Sequence, residues 1–105
     1  MLQFRQGDVF VEQVSDIPAD AKPGKLDGRR IVLAYGEVTG HAHAIEFEDG
    51  IEFLEKGDTL YLRVTKEGGV DLKHEEHSTI NLPVGTYAAK RQREYSPQEV
   101  RFVAD

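Results

Sequence analysis

Apolar and polar residues alternate along much of the chain, and this period of two predicts β-strands. The clearest example is the stretch 59–65, where Leu60, Leu62 and Val64 would face a core and the residues between them would face solvent. Alternation or β-branched content predicts further strands at 9–14, 30–35, 41–48, 51–55, 70–82 and 86–95. The chain is therefore predicted to contain about seven short strands.

Glycine, aspartate and proline lie between these stretches, as expected for tight turns. Asp49-Gly50 is the clearest hairpin signal, and the stretch 15–24, with two prolines, is predicted to be a surface loop. Near the C-terminus, Ser96 and Pro97 have the order of a helix N-cap and first helical position, so the last residues are compatible with a short helical turn or a final edge strand. The whole pattern predicts an all-β fold, a small antiparallel barrel or sandwich.

Length and composition limit the classes of function. At 105 residues the chain is predicted to form a single domain, residues 1–105. It has no cysteine, which excludes disulfides and thiolate metal sites. Its net charge of −6 argues against general nucleic-acid binding, and without a nucleotide-binding fingerprint we expect no nucleotide cofactor. Since no signal peptide or membrane-spanning apolar run is seen, we expect a cytoplasmic protein that does not enter a membrane.

The histidines are the most informative polar residues. There are four, in two close pairs at positions 41 and 43 and at positions 74 and 77. In a strand, His41 and His43 share one face with Ile45 and Phe47. Because these two apolar residues are expected in the core, both histidines are predicted to point inward.

The second pair is predicted to divide between two faces. His74 shares a face with Val70 and Leu72 and would point inward. His77 would face outward unless a bulge near position 75 brings it round.

Three inward imidazoles, from His41, His43 and His74, predict a metal site with an open position for water. With His77 as a fourth ligand, the site would instead be closed and structural.

Carboxylates near the histidines would affect which metal ion the site prefers. Glu48 or Glu76 is predicted to serve as an oxygen ligand or as a base, and the combined set suits one divalent ion: zinc, iron or manganese. Without an ion, the same groups would form a polar network or a pair suited to proton transfer.

Two functions follow from these features. The first is a metal-dependent protein, in one interpretation an enzyme that acts on a small molecule, with enzyme status and catalytic residues undecided. The second is a non-enzymatic module that binds a protein partner, supported by small size and by a basic stripe at Lys90, Arg91 and Arg93. Arg91, Arg93 and Tyr95 would suit a phosphate or carboxylate, or would protect an edge strand from aggregation. The oligomeric state is not predicted.

Four motifs together extend over nearly the whole chain: Glu-Val-Thr-Gly-His-Ala-His at 37–43, His-Glu-Glu-His at 74–77, Leu-Pro-x-Gly-x-Tyr at 82–87 and Gln-Arg-Glu-Tyr-Ser-Pro at 92–97. They resemble the motifs of a family of short bacterial and phage proteins. The resemblance implies no particular activity, but it implies that a protein-binding module would work within a bacterial or phage assembly.

A looser resemblance connects the chain with the cupin superfamily. His41 and His43, followed by Glu48, resemble the ligand spacing of the first cupin motif, and the stretch 83–85 resembles the turn of the second. The resemblance implies a small β-barrel with a metal bound by this pair and a later third histidine. Ala88 stands where that third histidine is expected, so His74 would have to replace it from the preceding strand.

Overall fold

The computed structural model describes residues 1–36 and 40–90, which form ten β-strands and contain no helix. In chain order the strands are β1 (Gln3–Gln6), β2 (Val9–Gln13), β3 (Lys22–Pro23), β4 (Arg30–Tyr35), β5 (Ala42–Glu46), β6 (Ile51–Lys56), β7 (Thr59–Val64), β8 (Val70–Leu72), β9 (Ile80–Leu82) and β10 (Gly85–Lys90).

Six of the strands form one antiparallel sheet, in the order β1-β2-β10-β7-β6-β3. Inward residues of neighbouring strands lie opposite one another: Val11 pairs with Ala89, which pairs in turn with Leu60, and all three are buried. On the other face, Glu52 and Arg63 pair and form an ion pair at 2.7 Å. Because alternation holds across these strands, the sheet has one apolar face and one polar face.

Two smaller antiparallel ladders, β4–β5 and β8–β9, pack against the apolar face of this sheet. The main core joins Ile31 and Ile45 from the first ladder and Leu72 and Leu82 from the second with Leu62 from the large sheet. The arrangement is a sandwich of sheets around one core. Within the described residues the six-stranded sheet is open, with β1 and β3 at its edges, and no closed barrel forms.

Strand β4 is buried on both faces. Its register against β5 shifts between Val32 and Ala34, so Leu33 is the extra residue of a β-bulge. Leu33 joins the main core, whereas Val32 packs with Ala42 and Ala44 in a second, smaller cluster. Strand β5 is therefore held by apolar contacts on both of its faces.

The all-β, antiparallel prediction is confirmed, although the described residues contain ten strands and not about seven. Alternation does not predict β1, and it places β3 within a surface loop. Strand β1 has four residues and β3 has two, and over such short lengths a period of two gives little signal.

The predicted continuous strand 70–82 is wrong. The chain forms β8, leaves it after Leu72 and returns as β9, which pairs with β8 through Val70–Leu82 and Leu72–Ile80. The polar residues 73–79 continue the alternation of the sequence, but most of them have no strand partner and form a loop. This loop carries the second pair of histidines.

The predicted burial of Phe47 is also wrong, since this side chain is 43% exposed, whereas Ile45 is buried as expected. Strand β5 ends at Glu46 and the chain then turns at Asp49-Gly50, so Phe47 lies beyond the pleated part. The C-terminal helical turn or edge strand and the far half of the predicted strand 86–95 lie outside the described residues.

Candidate metal centre

Three imidazole rings lie next to one another beside β5. His43 projects from β5, and His74 and His77 project from the loop between β8 and β9. The ring centroid of His74 lies 4.2 Å from that of His43 and 4.7 Å from that of His77. The centroids of His43 and His77 are 5.6 Å apart. One ligand atom from each of the three residues lies within 4.8 Å of the other two. The trio is therefore geometrically able to hold a metal ion.

A backbone bridge sets the position of two of these rings. Ala44 and Lys73 exchange two hydrogen bonds, each of 2.9 Å, in an antiparallel bridge between β5 and the start of the loop. In such a bridge the residue before one partner lies beside the residue after the other. His43 and His74 are therefore brought side by side by main-chain contacts.

Gln6, at the end of β1, determines which nitrogen of His43 carries the proton. Its side-chain nitrogen donates to the carbonyl oxygens of Leu72 and Ser78, both at 2.9 Å. Both amide protons are then used, so the Gln6 Oε1 atom, 2.8 Å from His43 Nδ1, must be an acceptor. A neutral His43 therefore carries its proton on Nδ1 and leaves the lone pair of Nε2 available for an ion.

Gln6 is only 2% exposed and His43 only 6%. The three hydrogen bonds of Gln6 connect β1 with the carbonyl groups on either side of the histidine loop and with the ring on β5. This one side chain therefore fixes both the ring of His43 and the two ends of the loop that carries the other histidines.

A second set of ligands lies beside the first and shares His74 with it. One ligand atom each from His41, His74 and Glu75 lies within 4.8 Å of the other two. His41 Nδ1 donates to Glu76 at 2.8 Å, and Glu75 Oε1 accepts the backbone N–H of Ala42 at 3.0 Å. That backbone hydrogen bond lowers the pKa of Glu75 and so favours its ionised form.

Two glycines leave room for the rings. A Cβ atom at Gly7, where φ is +59°, would lie 2.8 Å from His77 Nε2, and a Cβ atom at Gly36 would lie 3.3 Å from His74 Nε2. Gly36 therefore allows a close approach of the backbone to His74, and Gly40, just before His41, has a φ of +89°, a conformation that favours glycine.

Burial gives His43 an unusual titration. Burial, which has the largest effect, and the nearby rings of His74 and His77 together lower the pKa of His43 from 6.5 to about 4, while Asp8 and Glu75 act in the opposite direction. The ring is therefore neutral near pH 7, the form in which imidazole binds metal ions.

Stability of the metal-free protein should fall as the pH is lowered from 6.5 to about 4. In this range the unfolded state binds a proton at His43 and the folded state does not, so this group lowers the free energy of unfolding by up to about 1.4 kcal/mol per pH unit. Urea denaturation in the presence of a chelator, repeated across this range, measures the slope. The direct check is an NMR titration of His43, and a midpoint near 6.5 would contradict the prediction.

The structure brings together all four histidines that the sequence predicts as metal ligands, but in a different grouping. The predicted trio of residues 41, 43 and 74 does not form one set among the described residues; His77 takes the place of His41 beside His43 and His74. His77 is exposed, yet it joins the cluster because residues 73–79 form a loop and not a pleated strand.

The predicted carboxylates lie in different places. Glu76 contacts His41, whereas Glu48 lies beyond the end of β5 and forms an ion pair with Lys66 at 2.9 Å. Glu48 belongs to neither ligand set. The proposed anion-binding residues Arg91, Arg93 and Tyr95 lie outside the described residues.

Sequence reasoning missed Gln6 altogether. The available signal was weak: Gln6 follows Phe4 on one face of a four-residue strand, opposite the buried pair Val9 and Val11. A glutamine on an inward face indicates a buried polar contact, but the sequence does not say with which residues.

The part of the chain that the structure describes has no helix long and apolar enough to cross a bilayer.

Comparison with known proteins places the chain in a family but not in a functional class. No curated protein and no solved structure matches the sequence significantly, and nothing in the comparisons supports the cupin resemblance. The family model described as a domain of unknown function, DUF8820, matches residues 5–92. Because this match extends over most of the sequence, the chain belongs to the DUF8820 family.

Proposed function

We propose that this domain binds one divalent transition metal ion through His43, His74 and His77. The observation that carries the proposal is the convergence of three imidazoles, one of which has its proton already directed away from the cluster by Gln6. Imidazole ligands favour zinc, iron and similar ions over calcium or magnesium. Among zinc, iron and manganese, Zn²⁺ is the ion that we expect to bind most tightly.

The three ligand atoms of the trio need to move only slightly closer together to bind an ion. Ligand nitrogens around a tetrahedral ion, each about 2.0–2.1 Å from it, are about 3.3 Å apart. The ligand atoms of the trio lie within 4.8 Å of one another. His43 is buried, but His77 is exposed and His74 is only half-buried, so the two loop residues can supply the movement by side-chain rotation.

Metal binding through Nε2 of His74 also requires a change in the tautomer of this ring. The backbone N–H of Glu76 donates to His74 Nδ1 at 3.0 Å, so a neutral His74 carries its proton on Nε2. An ion at Nε2 would move that proton to Nδ1 and release the Glu76 N–H. The loop between β8 and β9 is therefore expected to rearrange when metal binds.

Three protein ligands leave a coordination position for water or a small molecule. Such an ion acts as a Lewis acid, and it lowers the pKa of bound water towards neutrality. The exposed side of the centre, at His77, would give a small molecule access to that position. A metal-dependent reaction on a small molecule is thus the function that this arrangement suits best.

The test is the binding of Zn²⁺ to purified protein, measured by calorimetry and by elemental analysis after dialysis. We expect one ion per chain and a loss of affinity of at least about 100-fold in His77→Ala, given that removing even an outer partner of a metal site costs about 10–100-fold. His77 is exposed, so this variant should keep its fold.

His41→Ala is the matched control, because His41 lies outside the trio and is only half-buried. It should bind Zn²⁺ nearly as well as the wild type. A wild-type protein that retains no stoichiometric ion after reconstitution with Zn²⁺, Fe²⁺ or Mn²⁺ would refute the proposal, and equal losses in His41→Ala and His77→Ala would refute the choice of ligands.

A further inference from the structure

We infer that His41, His74 and Glu75 form a second metal position, which selects harder ions than the first. The inference extends the proposed centre, because His74 would be a ligand in both positions. The first position would take Zn²⁺ and the second Mn²⁺, and one chain would hold one of them at a time.

The geometry of the second set is comparable to that of the first. The three ligand atoms lie within 4.8 Å of one another. The rings of His41 and His74 meet edge to face, with centroids 5.8 Å apart and an interplanar angle of 88°. Glu75 Oε1 accepts the Ala42 N–H, and because an ionised carboxylate has about four lone-pair sites, Glu75 can keep this hydrogen bond and still bind an ion.

His41 is prepared for binding in the same way as His43. Its Nδ1 atom lies 2.8 Å from Glu76 Oε2, and a carboxylate can only accept a hydrogen bond from the ring. The proton of a neutral His41 is therefore on Nδ1, and Nε2 has a free lone pair. A carboxylate that orients a histidine in this way is a recurring feature of metal sites, where it also raises the basicity of the ligand.

The two positions exclude each other. A neutral imidazole offers one nitrogen to an ion while the other nitrogen carries the proton. His74 can therefore serve the set with His43 and His77 or the set with His41 and Glu75, but not both. Two different ions should compete for the protein although the other ligands of each position are different.

The two positions have different types of ligand and should therefore prefer different metal ions. The first has three imidazoles, which suit zinc, copper and nickel. The second replaces one imidazole by a carboxylate and has the carboxylate of Glu76 next to it. Oxygen ligands and added negative charge favour harder ions such as Mn²⁺. The surroundings of Glu75 and Glu76 are exposed, so the ion can keep the waters that manganese usually retains.

The experiment measures Mn²⁺ affinity by the loss of the free-ion electron paramagnetic resonance signal, and Zn²⁺ affinity by calorimetry, on the same variants. Glu75→Gln keeps an oxygen for the Ala42 N–H but removes the charged ligand. We expect it to weaken Mn²⁺ binding at least about 10-fold and Zn²⁺ binding less than about 3-fold, with the opposite result for His77→Ala. Zn²⁺ should also displace Mn²⁺ from the wild type competitively.

Glu67→Gln is the matched control for charge, because Glu67 lies on the turn before β8, at the opposite end of that strand from His74. It should change neither affinity. The second position is refuted if Glu75→Gln and His41→Ala leave Mn²⁺ binding unchanged, or if Mn²⁺ and Zn²⁺ bind together. If the wild type binds Mn²⁺ in a Glu75-dependent way and does not bind Zn²⁺, the proposed trio fails and the second position stands.

Discussion

Replacing Gln6 by leucine is expected to lower the free energy of unfolding by about 3–5 kcal/mol and to weaken Zn²⁺ binding at least about 10-fold. The substitution removes the acceptor of His43 Nδ1 and the donor to the carbonyls of Leu72 and Ser78, and a leucine side chain cannot replace either. Each buried group left without a partner costs about 1–3 kcal/mol. Urea denaturation and Zn²⁺ calorimetry measure the two effects.

Gln6→Glu separates the two roles of this side chain. A carboxylate can still accept the hydrogen bond from His43 Nδ1, but it cannot donate to the two carbonyls. We expect this variant to lose stability as Gln6→Leu does and yet to bind Zn²⁺ more tightly than Gln6→Leu, as far as it remains folded. Equal Zn²⁺ affinities in the two variants would show that Gln6 acts only on the fold and does not position His43.

The second large effect is expected at Gly69, which precedes β8. Its φ is +79°, and an added Cβ atom would collide with the backbone carbonyl oxygen of Leu82. The left-handed conformation alone costs a non-glycine residue about 1–2 kcal/mol. Because the colliding atom is backbone, β8 and β9 would also have to separate. We expect Gly69→Ala to lower the free energy of unfolding by more than about 3 kcal/mol.

Gly68→Ala is a control at the neighbouring position. Gly68 also has a positive φ, of +88°, but a Cβ atom there would meet nothing within 4 Å. Its cost should be the conformational one alone, about 1–2 kcal/mol. The difference between the two variants in chemical denaturation then measures the collision with Leu82. A similar decrease in the free energy of unfolding in both variants would mean that the β8–β9 ladder can shift at little cost in free energy.

The sequence predicts those parts of the fold in which one face of a strand is buried and the other face is exposed to solvent. In β7, Leu60, Leu62 and Val64 are buried and the residues between them are half-exposed, as their alternation predicts. The same reasoning fails at residues 73–79. A period of two describes side-chain polarity and does not say whether the chain continues straight or folds back on itself.

The candidate site is predictable to the extent that it lies in regular structure. His43 lies on a pleated strand, and its burial follows from alternation with Ile45. His77 lies on a loop, where alternation has no meaning. Gln6 contacts groups that are 37, 66 and 72 residues away in the chain. Such contacts depend on how three sheets pack together, which a single sequence does not show.

The position of Gln6 has a dynamic consequence. Strand β1 has four residues, lies at the margin of its sheet and has β2 as its only neighbour in the strand order. Peripheral strands of this kind can detach transiently while the rest of a protein remains native. Each such fraying event would leave the His43 imidazole free to rotate, so ion release from this domain would follow the local opening rate of its first strand and not the rate of global unfolding.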